Sequence, residues 1–350
     1  MRLKSKVYKN FYRSLRIIFC LFLSDTFLNI NALDSKFLKC NGTSLVNQNG
    51  ETVILSGVNI GGWLIQENWM CPICGGDTTW DNLNTLNILE KRFGAEKTQE
   101  LFDIYQENWI TKKDIKNITD KGCNVIRVPF WYRNFMTDIN GTWINNSDSD
   151  NNPGLMKLDW IIDEAKKNNM YVILDMHGCP GGQSLEHTTG TLEKNFLYSD
   201  PVCQDTMELL WKTIAKRYKD NPTVAAYNIM NEPNVSYRFG CKNKYNPFSS
   251  KTYKMVHSVY DRMIKAIREV DKDHIITVEF IILPGSLPDP KEMNWDNIMY
   301  QAHYYFPHPA CPVEFGFVFS FYLNRILSKT DRYNVPAYIG EFKYLDGINI

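Results

Sequence analysis

Two interleaved periodicities constrain this chain more than any other feature. Short apolar runs rich in β-branched residues recur at 53–60, 125–128, 171–175, 226–230, 275–280, 298–303 and 337–340, and such nearly continuous runs predict strands buried on both faces. Between them the apolar positions switch to three–four spacing, at Leu158, Ile161, Ile162 and Ala165, at Met207, Leu210, Trp211, Ile214, Ala215 and Tyr218, and at Val256, Val259, Tyr260, Met263, Ile264 and Ile267. That spacing gathers the side chains on one face of a helix. Asp200-Pro201 marks the start of the second helix, an N-cap residue followed by proline at the first helical position. The Asn-, Asp- and Ser-rich stretch 145–154 predicts a long polar loop inside one domain.

Repeated strand–helix units imply a parallel sheet covered by helices, either doubly wound or closed into an eightfold barrel. The polar residues decide between the two. Arg127, His177, Asn231-Glu232, His303 and Glu341 each stand at or just past the C-terminal end of a different strand, where barrel active sites are built. The G-x-G-x-x-G turn of a nucleotide-binding sheet is absent after the first strand. The predicted fold class is therefore α/β, a (β/α)8 TIM barrel, and 350 residues suffice to bury its core.

Composition excludes some partners. With 39 basic and 39 acidic side chains the chain has no net charge, which leaves no basic footprint for nucleic acid and argues against disorder. Aromatic residues make up 13%; most are expected to fill the core, and a few to serve as stacking platforms in a sugar-binding cleft.

The N-terminal stretch carries Arg2, Lys4, Lys6, Lys9, Arg13 and Arg16 ahead of the apolar run 17–23. A basic region before a short apolar one predicts a secretory signal over residues 1–32 and a catalytic domain over 33–350. The apolar run is far shorter than the ~20 residues of a membrane-spanning helix, so a secreted, extracellular protein without a stable membrane span is expected. Cys20 falls in the signal, and Cys40, Cys71, Cys74, Cys123, Cys179, Cys203, Cys241 and Cys311 form an even set compatible with disulfides. Sequons stand at Asn41, Asn117, Asn140, Asn145 and Asn234. Cys71-Pro-Ile-Cys74 lacks a second pair at matching spacing, so no metal site is expected.

Asn231-Glu232-Pro233 follows one apolar strand and Glu341 follows another. One strand-end Glu is as readily a surface ion pair, but two on different strands of a barrel suit the carboxylate pair that cleaves glycosidic bonds.

With these pieces in place the chain resembles glycoside hydrolase family five of the clan A barrels, nearest its exo-β-1,3-glucanase-like branch. The matching segments, in the family's order, are Gly57-Val58-Asn59-Ile60-Gly61-Gly62-Trp63-Leu64-Ile65-Gln66-Glu67, Ile126-Arg127-Val128-Pro129, Asp175-Met176-His177-Gly178, Asn231-Glu232-Pro233, His303-Tyr304-Tyr305 and Ile339-Gly340-Glu341-Phe342. The resemblance implies that Glu232 is the acid/base and Glu341 the nucleophile of a retaining hydrolysis needing no cofactor. Glu67, with Asn59 from the same strand and loop, resembles a ligand of the non-reducing-end sugar.

Physical roles can be set beside the resemblance. Arg127 would hold Glu341 ionised, and Tyr305 would donate its hydroxyl to the same carboxylate. Asn231 offers an amide to the sugar 2-hydroxyl, and Glu232 needs a proton for the first step, which a desolvated pocket would favour. His177 and His303 read as hydrogen-bond donors to sugar hydroxyls or to the carboxylates, and Trp63 either stacks on a sugar or plugs the barrel floor. A monomer acting on β-glucan or another β-linked glycan is expected.

Some departures qualify this expectation. The family barrel has eight strand–helix units, and nine residues follow Glu341, so the eighth unit and its customary tryptophan are expected to be missing and the barrel truncated. Residues 281–286 do not match the exo-glucanase loop. Because loops set linkage preference, an endo-β-1,4-glucanase, a mannanase, a glucosylceramide-type hydrolase and an inactive carbohydrate-binding remnant stay open. The Asn234 sequon lies so close to Glu232 that it is expected to be unused.

Overall fold

The structure is a computed structural model, and it describes residues 37–67, 70, 81–235, 249–279, 286–305 and 324–343. The expected signal segment lies outside the described residues, as do Cys71, Cys74, Cys241 and Cys311.

The described chain opens with a small antiparallel sheet of β1 (Lys39–Asn41), β2 (Ser44–Val46) and β3 (Thr52–Val53). There follow β4 (Gly57–Asn59), β5 (Val125–Trp131), β6 (Tyr171–Gly178), β7 (Val224–Asn228), β8 (Ile275–Glu279), β9 (Ile298–Tyr305) and β10 (Ala337–Lys343), seven strands that pair in parallel and in chain order. The result is a nearly closed α/β barrel. The run 53–60, read as one strand, is divided between the two sheets: Val53 pairs with Leu45, and only Gly57–Asn59 joins β5. Sterics fix the starting point of β4, since a Cβ on Gly57 would fall 1.8 Å from the Val125 carbonyl oxygen.

The small sheet closes the N-terminal end of the barrel. Leu38, Leu45 and Val53 pack on Val125, Tyr171, Ile173, Ala225, Ile275 and Met299 near the strand starts, and Lys39 pairs with Asp273 at 2.8 Å. The N-terminal mouth is thus filled with apolar side chains, and the opposite end is left for chemistry.

Helices α1 (Asn82–Phe93), α2 (Ala95–Trp109) and α3 (Lys112–Asp120) link β4 to β5; α4 (Pro153–Lys167), α5 (Pro201–Tyr218), α6 (Ser250–Val270) and the short α7 (Pro290–Met293) follow later strands. Residues 324–333 are also helical. The predicted apolar faces of α4, α5 and α6 are all buried. Asp200 accepts from the Val202 N–H ahead of Pro201, as its sequence signal requires. Asn152 caps α4 in the same way, so the polar loop ends before Pro153 rather than at Gly154.

The sheet has two edges, β4 and β10. Across the seam between them Asn59 Nδ2 donates to the Gly340 carbonyl at 3.0 Å. The apolar Val58, Ile339 and Phe342 are exposed on these strands.

Cys40, Cys123, Cys179 and Cys203 are free thiols, which corrects the disulfide expectation for the described cysteines. Among the described residues no helix is long and apolar enough to cross a membrane.

Candidate active site

Sheet register gathers the strand-end polar residues. Asn59 lies opposite Arg127, Asp175 opposite Asn228, Glu279 opposite Gln301 and His303 opposite Glu341. A register shift between Ile339 and Glu341 places a bulge at Gly340, the kind of irregularity that re-aims a side chain next to a site. A larger residue there would have to displace Gln301, because a Cβ would meet its side-chain amide at 2.6 Å.

Arg127 is the hub. Its Nη1 donates to Glu341 Oε1 at 2.7 Å and to Asn59 Oδ1 at 3.2 Å. Its Nη2 donates to Asn231 Oδ1 at 2.7 Å and pairs with Asp175 Oδ2 at 2.9 Å. Asn228 Oδ1 accepts from both Nε and Nη2. A guanidinium 4% exposed needs this full set of acceptors. Burial works against its charge, but Asp175 and then Glu341 outweigh burial and raise its pKa.

Behind Arg127, Asp175 is fully buried and meets His177 Nδ1 at 2.8 Å. The other ring nitrogen of His177 lies 3.6 Å from Glu67 Oε1 and 3.3 Å from Asn231 Nδ2. Burial lowers the proton affinity of this imidazole, but Asp175 and Glu67 overcome it and hold its pKa well above the usual value.

In front, His303 stands among three carboxyl groups. Its Nδ1 is 2.9 Å from Glu232 Oε1, 3.3 Å from Glu279 Oε1 and 3.6 Å from Glu341 Oε2. Burial again opposes its charge, and Glu279, Glu341 and Glu232 together raise it to about 9. Glu279 is 2% exposed; burial, with the negative charge of Glu232, pushes its carboxyl up to about 8 against the opposing pull of His303 and Arg127. Glu232 is 38% exposed, so the desolvation expected for Glu232 falls on Glu279 instead. Glu232, Glu279 and His303 are also the described residues that could hold a metal ion, with ligand atoms within 4.8 Å of one another.

The structure thus brings together Asn59, Glu67, Arg127, His177, Asn231, Glu232, His303 and Glu341. Tyr305 ends β9, and its side chain lies outside the described residues. Trp63 is not brought to the cluster: it is 2% exposed, donates from Nε1 to the Gln106 carbonyl at 2.9 Å and packs edge-on against Trp160. It borders a cavity of about 530 Å³ between α2, α3 and α4, not the catalytic mouth. Asn231 is 1% exposed with Oδ1 on Arg127 and Nδ2 facing His177, so it orients the hub from inside.

Sequence reasoning missed Asp175 as the pivot of the hub, along with Asn228, Glu279 and Gln301. A signal existed for Glu279: a carboxyl closing the apolar strand 275–279 is a polar break of the same kind as Arg127.

A family model described as cellulase (glycosyl hydrolase family 5) matches residues 80–346. A β-xylosidase of Phanerodontia chrysosporium is 30% identical over 281 residues, covering 79% of this chain and 54% of that protein. A probable glucan 1,3-β-glucosidase A of Emericella nidulans is 28% identical over 183 residues, 51% of this chain and 42% of that protein. The chain spans about half the length of these curated relatives. Among solved structures, a rutinosidase from Aspergillus niger shares the fold with a TM-score of 0.64 at 18% identity, over 89% of this chain and 81% of that one.

Proposed function

Because the chain belongs to the cellulase family, glycosyl hydrolase family 5, we propose that its barrel mouth hydrolyses β-linked glycosides with retention of configuration. Glu341 attacks the anomeric carbon as the glycosidic C–O bond breaks, and Glu232 gives its proton to the leaving oxygen. Water then attacks the glycosyl–enzyme, Glu232 takes a proton from that water, and Glu341 leaves as carboxylate.

One observation carries this reading: a single nitrogen, His303 Nδ1, lies 2.9 Å from Glu232 and 3.6 Å from Glu341. The oxygens concerned cannot be farther apart than the two distances combined, about 6.5 Å, so their separation lies at or below the lower limit of the ~6.5–9.5 Å that leaves room for water in an inverting pair, in a range that includes the ~5–5.5 Å of a retaining one. The ion pair to Arg127 supports the assignment of Glu341 as nucleophile, since it favours the ionised form.

Within that reaction the preferred substrate is a β-1,3-glucan cut from its non-reducing end. The likeness to a glucan 1,3-β-glucosidase supports this, as does Glu67, which reaches the cluster from the first strand's loop. The protein is a monomer exported through residues 1–32, which sequencing the N-terminus of the secreted product checks.

Assays with aryl β-glucoside, aryl β-xyloside, laminarin, carboxymethyl-cellulose and mannan test the substrate. Azide tests the roles: Glu341→Ala should be rescued to the α-glycosyl azide, and Glu232→Ala, on activated substrates only, to the β-azide. Exchanged anomers would reverse the assignment. Binding of laminarin without turnover of any substrate would leave a carbohydrate-binding protein.

A further inference from the structure

Glu232 has an unusual backbone. Its φ is +42°, a region that costs an L-residue steric strain, and it precedes Pro233, whose ring steers the preceding residue toward extended conformations. Such a conformation persists only where its surroundings enforce it. The Glu232 N–H donates to Glu279 Oε2 at 3.0 Å.

Glu279 is itself firmly held. Gln301 Nε2 donates to the same Oε2 at 3.1 Å, and the Glu279 N–H donates to the Tyr260 hydroxyl of α6 at 3.0 Å. Its other carboxyl oxygen lies 3.3 Å from His303 Nδ1, the nitrogen that meets Glu232 Oε1 at 2.9 Å. Glu279 therefore touches Glu232 twice, once through the backbone and once through a shared imidazole. The titratable and charged groups facing it are Glu232 beyond β7, His303 on β9, Arg127 on β5, Tyr338 on β10, Tyr260 on α6 and Tyr198 before α5.

We propose that Glu279 is a positioning residue for the acid/base: it clamps the left-handed backbone of Glu232 and, through His303, fixes the carboxyl that must meet the leaving oxygen. The inference rests on the reading of Glu232 as acid/base. No proton is consumed at Glu279; the one that Glu232 gives to the leaving group is regained from the attacking water.

Leaving-group dependence tests the proposal, because it reports acid catalysis separately from folding. A 2,4-dinitrophenyl β-glycoside departs without a proton, whereas a phenyl β-glycoside needs one. In Glu279→Ala, kcat/KM on the phenyl glycoside should fall about 100-fold and on the dinitrophenyl glycoside less than about 5-fold, in line with the ~10²–10⁴ that a positioned general acid contributes. Glu279→Gln keeps the shape and an oxygen for the Glu232 N–H, so it should respond to leaving group as wild type does.

Hydrogen exchange at the Glu232 amide checks the clamp without turnover. Protection should be retained in Glu279→Gln and lost at least about tenfold in Glu279→Ala. Equal losses on both substrates, or unchanged amide protection in Glu279→Ala, would overturn the proposal while the glycosidase reading stands. A wild-type protein inert on every glycoside would overturn both, and that outcome is seen before any variant is made.

Discussion

Arg127→Met is the perturbation with the most definite consequences. The guanidinium is 4% exposed and neutralises Asp175, fully buried, and Glu341. Methionine fills the space but leaves Asp175 with the His177 ring alone, at 2.8 Å, and Glu341 with the more distant His303 ring, at 3.6 Å. Removing one partner of a buried pair costs about 3–5 kcal/mol, a large part of the ~5–15 kcal/mol that holds a domain folded. Guanidinium unfolding should show a lower midpoint with an unchanged slope. Activity should respond separately: an adjacent guanidinium lowers a carboxylate's proton affinity by about 1–3 pH units, so the acid limb of kcat/KM should move up by that amount. Residual turnover should accordingly improve with rising pH. Adding Asp175→Asn removes the second buried charge while leaving an amide oxygen to face His177 Nδ1, so the double variant should be more stable than additivity of the single ones allows. An acid limb that stays in place, together with a stability loss under about 1 kcal/mol, would refute Arg127 as the electrostatic hub.

Three further outcomes are expected. Gly340→Ala sets a methyl against the Gln301 amide at 2.6 Å and should lower kcat/KM by at least about tenfold with only ~1–3 kcal/mol of destabilisation; unchanged kinetics would mean that the bulge does not aim Glu341. Asp200→Ala removes the cap of α5 and should cost about 1 kcal/mol in denaturant unfolding with kcat/KM unaltered. Stability should fall as pH rises from about 5 to 9: the His303 ring, charged to about 9 in the fold, contributes fully below its unfolded value near 6.5 and is lost through 9, while the unfolded Glu279 carboxyl ionises near 4.5 although the folded one keeps its proton to about 8. In both cases the folded state binds the extra proton, so the slopes agree in sign. The His177 shift has the same direction; His257, lowered by burial, opposes it only below its unfolded value near 6.5, and Asp271, depressed to about 2 by His274 despite its burial, acts only at lower pH. Stability flat or rising over this range would contradict the protonation states assigned to the cluster.

The barrel was legible because its strands are buried on both faces and its helices on one, so that each leaves its own period in the sequence. The small sheet β1–β3 was not, since strands two or three residues long carry no period; its role at the barrel floor rests on Leu38, Leu45 and Val53 meeting strands from across the chain. The helices α1–α3 were passed over for a related reason: α1 and α2 have few fully buried residues, so their apolar stripe is faint. Arg127, Glu232 and Glu341 could be read from polar residues breaking apolar strands. The pairing of Glu279 with Glu232 could not, because a contact between the end of one strand and the backbone of the loop after another depends on register and on a positive φ. Trp63, for which sequence left sugar stacking and a structural role both open, turns its ring to the helices, edge-on to Trp160.

Where the chain buries charge also separates structure from chemistry. Asp81 is buried as the cap of α1, Glu164 meets Lys167 at 2.6 Å, and Asp271 takes the backbone N–H groups of Asp273 and His274 at the entry to β8. Each finds a partner within, or at the border of, its own element. Glu67, Arg127, Asp175, His177 and Glu279 are used differently: each is at most 7% exposed, and each turns its side chain to another polar group of the cluster. Well-packed apolar residues of similar volume would commonly stabilise the fold as well or better. What the five achieve together is to hold His303, Glu232 and Glu341 in fixed mutual geometry, with guanidinium and imidazole cations distributed among carboxyl groups that would otherwise repel. Perturbed, mutually dependent titrations of this sort mark functional sites. On the proposed glycosidase reading, the desolvation cost of the barrel mouth is the cost of preorganisation: dipoles and charges set in place before a glycoside arrives need not reorganise as charge develops at the anomeric carbon.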